Sequence, residues 1–563
     1  VRTTREVASR VSIRVTQGDA VFAAPLRRRA LGASAALLLV GGAIGASSVR
    51  SAASVSPKVK SHVLLVGTFH GVKGGYATIQ SAVNAAKPGD WILVAPGDYH
   101  ETDDLTSPPK SYAQAGFGAV LITTPRLHLR GMSRSGVIVD GTRPGAPACS
   151  SNPSDQEYGN VVGGSPVGRN GIVVFKANDV YVENLTVCNF LSGSQGSGNG
   201  VWWNGGDATG KIGLTGYWGS YLTATSTFFA TESAAATYGI FSSNAAGPAS
   251  WNQIYANNQN DSGIYVGACK QVCNVTISHA WMEYNALGYS GTNSGGAIVI
   301  THSQFDNNQD GLDTNTAISG DPTAPQNGAC PKGGISKITH THSCWVLMDS
   351  FIHDNNNANA PESGSAGLGP TGTGMTLSGG RNDTILHDTF ANNGAWGILF
   401  VPYPDSGTPV DGQSCKGSSG HVFGNLGCIL DPQNDALVGN TFTHDGFFGN
   451  PTNSDFGELT LSRHLTDCFS KNHAPDGSYP TNLATAEKSC TGKMVNGNAT
   501  TTGASLYAQV LCDTRIDTSQ CTPGSHYPPR GTVVMHPVPA LPSMPNPCKG
   551  APPNPWCKAG SPI

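Results

Sequence analysis

Charge is scarce in this chain: Asp, Glu, Lys and Arg make up 12% of 563 residues, and the net charge is only −4. So few charges argue against long solvated helices, and the lack of a basic excess excludes a broad nucleic-acid-binding surface. Its 14 cysteines include no paired C-x-x-C knuckles, which removes the usual structural zinc arrangement. Long apolar runs are missing as well; the nearest, residues 30–46, is short and rich in Gly and Ala for a membrane span. What the chain does have is 72 glycines with abundant Asn, Ser and Thr, interleaved with short apolar runs. That texture belongs to many short strands joined by tight turns.

The N-terminus reads as an export signal. Arg27, Arg28 and Arg29 precede the apolar stretch, and small residues follow at "ASS" (46–48) and "SAA" (51–53). Residues 1–53 are therefore assigned to upstream sequence and signal, by a general or a twin-arginine route. A retained anchor is the alternative; without it the mature chain has no membrane span. All 14 cysteines follow this segment, and many are near neighbours: Cys269/Cys273, Cys330/Cys344, Cys415/Cys428, Cys468/Cys490, Cys512/Cys521 and Cys548/Cys557. Disulfides closing short loops in an oxidising compartment explain this usage, with the connectivity open, and the expectation is a secreted, extracellular protein.

An internal repeat organises the rest. Glycine-led motifs recur at "YGIFSSN" (238–244), "SGIYVGA" (262–268), "LGYSGTN" (287–293) and "DGLDTNT" (310–316), with glycines spaced 24, 25 and 23 residues apart. Further copies are "NGIVVFKA" (170–177), "NGVWWNGG" (199–206), "TGMTLSGG" (373–380) and "WGILFVPY" (396–403). Between them lies a second motif, as in "AIVITHSQFDNN" and "CWVLMDSFIHDNN": an alternating strand, a turn residue, a Phe and an Asn. The turn column reads Ser303, Asp349, Asp388 and Asn440, small side chains that tolerate the left-handed region and bond local backbone. The Asn before each next glycine is placed to stack from rung to rung. Three short strands in about 24 residues make one coil of a parallel β-helix.

Such a solenoid needs its end covered, and "YATIQSAVNAAKPGDWILVAPGDYHE" (76–101) provides a helix with an apolar face of Ile79, Ala82, Val83 and Ala86, stopped by Pro88-Gly89. This segment, followed by "LHLRGMSRSGVIVDGT" (127–142), resembles the opening of the right-handed parallel β-helix, pectate-lyase-like superfamily. The resemblance covers roughly residues 62–460 and implies an all-β solenoid with an N-terminal capping helix. The superfamily spans lyases, hydrolases, esterases, epimerases and adhesins, so it implies no single activity. Residues 461–563, rich in Cys and Pro, are expected to form an irregular disulfide-tied extension.

Strand alternation sends one column of side chains outwards: Val173, Trp202, Phe241, Tyr265, Ser290, Asp313, Thr376 and Leu399. Trp202, Phe241 and Tyr265 form a candidate aromatic strip for sugar rings, with an intervening coil expected between Trp202 and Phe241 and Lys270 nearby. A covering loop at 204–218 or 317–343 would instead make the strip core. Asp313 stands where every rung places an outward residue, and Asp310 where any turn residue is tolerated. "NQDGLD" (308–313) is similar to the N-T-D-G-x-D stretch of polygalacturonase-type hydrolases, which would make Asp310 a general acid. It departs from that pattern at Gln309, in the missing Asp-Asp pair and in the absence of Gly-His-Gly and R-I-K motifs. "DPQND" (431–435) lacks the His of the epimerase D-P-H-D motif, and the esterase nucleophile motif is missing.

For a polysaccharide lyase, Asp310, Asp313 and Asp306 are oxygen ligands suited to Ca2+, and Arg381 and Lys270 are the candidate bases. "THTHSCW" (339–345) offers His340, His342 and Cys344 to a metal, with disulfide pairing of Cys344 as the competing reading. These readings favour a polysaccharide-interacting protein, with β-elimination on a uronate-containing chain as its first catalytic form. The alternative is a non-enzymatic surface or matrix scaffold.

Overall fold

The computed structural model describes residues 61–105, 118–194, 197–206, 211–269, 272–315, 326–364, 366–405, 420–421, 428–459, 466–481, 483, 490 and 503–557. Residues 1–53 and Lys270 lie outside the described residues.

Every glycine-led motif is a strand. Asn170–Phe175, Val201–Asn204, Tyr238–Ser243, Ser262–Gly267, Leu287–Thr292, Asp310–Asn315, Thr373–Ser378 and Trp396–Val401 stack in parallel within one 11-stranded sheet. The second motif supplies two more strands per coil, such as Gly296–Thr301 and Gln304–Asp306, which stack in a second, larger parallel sheet. The result is a right-handed parallel β-helix. One expectation fails: Trp202 and Phe241 are direct register partners, with no coil between them. The 39-residue interval instead holds the long strand Leu214–Thr225 of the same coil. The coils also continue past 460, since Cys468–Ser470 and Ser478–Tyr479 add to the two sheets.

Inward residues explain why the stack is stable. Ile264 and Val266, Leu312, Met375, Leu377, Ile398 and Phe400 from the glycine-led strands meet Met282, Phe305, Ile352, Phe390 and Phe442 from the third strands in one continuous core. The polar columns are equally regular. Asn285, Asn308, Asn355, Asn393 and Asp445 form a buried ladder, each Nδ2 donating to the next Oδ1 at 2.9–3.1 Å. These amides also donate to strand carbonyls such as Phe305 O and Ile352 O, so the turn closes with its polar groups satisfied.

The second turn column is shifted by one residue at Asp349. Backbone N–H groups donate to Ser303, Ser350, Asp388 and Asn440, while Asp349 occupies the left-handed position at φ 51°. The ladder needs a side-chain acceptor below the next backbone N–H, and Ser350 stands there.

The helix Ile79–Ala85 buries Ile79, Ala82 and Val83 on the core end, and the Glu101 carboxylate accepts from Ile79 N and Gln80 N at its N-terminus. At the other end of the sequence, the helix Gly503–Asp513 lays Leu506 against Ala395, Trp396 and Leu399. Beyond it an irregular Pro-rich strap returns along the solenoid. It bonds Asn359 through Gly531 and Val534, Asn257 and Asn258 through His536, Arg134 through Pro542, and Arg130 through Pro547 and Lys549. Trp556 ends it, donating to Val72 O and packing on Phe69 near the N-terminal coil. Six disulfides tie the described residues: Cys149–Cys188, Cys269–Cys273, Cys330–Cys344, Cys468–Cys490, Cys512–Cys521 and Cys548–Cys557. Among the described residues no helix is long and apolar enough to cross a membrane.

Candidate functional site

The outward column of the glycine-led sheet is continuous in register from Val173 through Trp202, Phe241, Tyr265, Ser290, Asp313 and Thr376 to Leu399. At its centre the aromatic strip is real. Trp202 and Phe241 stack at 5.1 Å, and Phe241 meets Tyr265 edge-on at 4.8 Å. Tyr238, which the motif reading passed over, packs against both Phe241 and Tyr265. Trp202, Tyr238 and Tyr265 remain half-buried, so the strip keeps accessible ring surface although Phe241 is buried.

The strip leads to two carboxylates that lie close together. Thr376 Oγ1 donates to Asp310 Oδ2 at 2.6 Å, and Asn315 Nδ2 donates to Asp313 Oδ2 at 2.7 Å. Oδ1 of each aspartate is buried and has no hydrogen-bond partner. Asp310 is not the freely chosen turn residue that its position suggests: it is fully buried. Its register neighbour Leu287 packs with Ala286 and Ala366, and Gly369 presses so close that a Cβ there would come 3.2 Å from Asp310 Cβ. Gln309 fastens this cover by donating to Gly367 O and Gly369 O.

Burial dominates the electrostatics. It raises the Asp310 carboxyl well above the usual carboxylate range; the charges of Asp313 and, last, Asp513 add to the rise, and Thr376 opposes it. Asp313 is pushed up by burial to about 6, against the opposing pull of Asn315 and the polar groups of Ser378. Burial and like charge thus set two neighbouring acids apart, with Asp310 the more reluctant of the two to give up its proton.

Asp513 comes from the C-terminal helix, and both of its carboxylate oxygens are buried without a side-chain partner. Nothing in the repeat pattern points to it, because its position depends on how the extension folds back. The same helix covers Leu399 and closes the outward column at that end.

The structure does not bring every candidate here. Arg381 is half-buried, and the charges that act on it are Asp435 and Asp431 rather than Asp310 or Asp313. Asp306 faces outwards from a third strand, held by Trp281, Gln304 and Asn307 at 2.6–3.0 Å, on a different wall of the solenoid. In "THTHSCW", Cys344 is taken by Cys330, and His342 Nδ1 bonds Gly334 O.

No protein-family profile matches the chain, and no curated protein matches it. Solved structures with a similar course include the A-module of Azotobacter vinelandii mannuronan C-5 epimerase AlgE4, which is 11% identical with a TM-score of 0.39 and a match covering 71% of this chain and 92% of that one. A rhamnogalacturonan lyase is 11% identical, with a TM-score of 0.43 and coverage of 73% and 87%. The polygalacturonase from Erwinia carotovora ssp. carotovora is 10% identical, with a TM-score of 0.40 and coverage of 75% and 95%. Its own sheet topology places the chain among the right-handed parallel β-helix proteins, the architecture that the sequence resemblance implies.

Proposed function

We propose that the protein binds an extracellular polysaccharide along the Trp202–Phe241–Tyr265 strip and presents it to Asp313, with Asp310 buried beside it. One observation carries this reading: an accessible aromatic strip runs in register into a pair of acids with unpartnered, buried Oδ1 atoms. Aromatic faces cover the apolar C–H surface of sugars without demanding polar partners, and the acids supply what the strip lacks.

The catalytic form of this proposal is β-elimination on a uronate-containing chain. Asp313, part-ionised near neutral pH, takes the proton at C5. The C4–C5 double bond forms as the C4–O bond breaks, and the departing oxygen takes its proton from solvent, since Asp310 is fully buried beneath Gly369 and does not reach the sugar. Arg381 has carboxylate neighbours of its own, which leaves Asp313 as the better base. Ca2+ would be an alternative to that route: Asp310 and Asp313, both ionised, would hold it through the orphaned Oδ1 atoms, and its positive charge would acidify the C5 proton by neutralising the uronate.

The reading is tested by following unsaturated-uronate absorbance with purified protein on a panel of uronic-acid polymers, with Ca2+ and with chelator. Rising absorbance, abolished in Asp313→Ala and reduced by chelator, is the expected result. New reducing ends without absorbance would replace elimination with hydrolysis at the same strip. Neither signal, together with no retention on immobilised polymer, would overturn the proposal in favour of a scaffold.

A further inference from the structure

A second side-chain column lies on another wall, where each coil turns from its long strand into its third strand. This turn places one residue per rung in the left-handed region: His279 at φ 51°, His302 at 49°, Asp349 at 51° and His387 at 59°, on consecutive rungs. All four side chains are exposed, and they line one open groove of about 640 Å3 with Trp281, Gln304, Phe351 and Thr389. The His279 and His302 rings lie face to face at an interplanar angle of 24°, with centroids 5.7 Å apart.

The left-handed position explains a polar residue or a histidine at each turn, but not a run of three histidines and an aspartate that share one groove. Histidine, Asn and Asp all tolerate that backbone, and the neighbouring turn after the third strand mixes residue types for the same purpose, with Asn258, Tyr284, Asn307, Asp354, Asn392 and His444. Three histidines and an aspartate on four successive rungs therefore need a second reason. The ring nitrogens suggest it. His279 Nδ1 meets Asn252 Oδ1 at 3.1 Å and His302 Nδ1 meets Thr301 Oγ1 at 2.7 Å, leaving Nε2 of each ring to the groove. Holding Nδ1 with an outer partner is how a ligating imidazole is usually oriented.

We propose that this groove binds a divalent late-transition-metal ion such as Zn2+, Ni2+ or Cu2+, with His302, Asp349 and His387 as ligands. Rungs stand about 4.8 Å apart, so His302 and His387 lie about 10 Å apart with Asp349 between them, and closing on one ion takes χ rotation that lifts the His387 ring off Gly439, over which it lies. The N/O/N donor set suits these ions better than Ca2+ or Mg2+. The ligand atoms of this column stand further apart than those of Asp98, His100 and Asp140, which already cluster within 4.8 Å. That other cluster is consumed internally: His100 Nε2 bonds Asp98, His100 Nδ1 bonds Thr142 O, and Asp140 accepts from Thr142 and Cys149.

The test is calorimetric titration of Zn2+ into the full chain, with Cu2+ paramagnetic resonance to count nitrogen ligands. The comparison is the double variant His302→Asn and His387→Asn, in which Asn keeps the left-handed turns. One ion per chain, nitrogen hyperfine structure, and affinity at least tenfold weaker in the double variant are expected. Asp313→Asn should leave Zn2+ affinity unchanged, which separates this site from the polysaccharide site. Equal affinity in the folded double variant, or no binding by the wild-type chain, overturns the proposal.

Discussion

At the residue scale, Asp313 shows how a functional position can tax stability. Its carboxyl titrates near 6 in the fold because it is desolvated, against 3.8 as the ordinary value. Between those two pH values the native state holds a proton that the unfolded chain has released, so stability present below pH 4 is lost as pH rises through 6. Asp313→Asn keeps an acceptor for Asn315 and removes that loss. The variant should gain about 1–2 kcal/mol at pH 7, shrinking to nothing at pH 4, in urea unfolding, while losing the proposed activity. A variant that is destabilised at pH 7 would show that Asp313 is engaged by a favourable charge instead.

At the element scale, the asparagine ladder shows why the rungs stay in register. Asn355 is fully buried, donates to Asn393 Oδ1 and Phe305 O, and accepts from Asn308 Nδ2 and Asn308 N. Asn355→Ala strips partners from buried groups on both adjacent coils. The expected cost is about 2–4 kcal/mol, read as a lower urea midpoint, because an unmade buried hydrogen bond costs more than a made one contributes. The ladder itself was legible as Asn before each glycine. The turn ladder was legible except at Asp349, where two small polar residues stand side by side and sequence alone gives no way to choose the one facing the backbone N–H.

For the whole molecule, buried carboxyls set the response to pH. Burial raises Asp383 to about 8 and Asp445, Asp455, Asp467 and Glu283 to about 7. Asp383 N–H donates to Asp435, and Asp435 N–H to Asp467, so three aspartates stack in one column where shared burial keeps protons bound. The native state therefore binds more protons than the unfolded chain between pH 4 and 8, and stability falls as pH rises across that window. His128, stacked between Trp91 and Tyr181 and lowered by burial to about 4, acts oppositely below pH 6.5, but it is one group against several. Thermal unfolding at a fixed scan rate should give a Tm several degrees higher at pH 5 than at pH 8. A flat or rising profile would mean that these carboxyls are ionised in the fold.

The sequence by itself determined the solenoid, the outward column and the aromatic strip. Each follows from a period: glycine spacing of about one coil, alternation of two along a strand, and an Asn at every turn. The tertiary structure alone decided that Asp310 is buried, that Asp513 joins it, that Arg381 turns to Asp435 and Asp431, and that four turn residues line a groove. Those outcomes depend on insertions and a C-terminal strap that follow no repeat, and on stacking distances between coils that the order of residues does not encode.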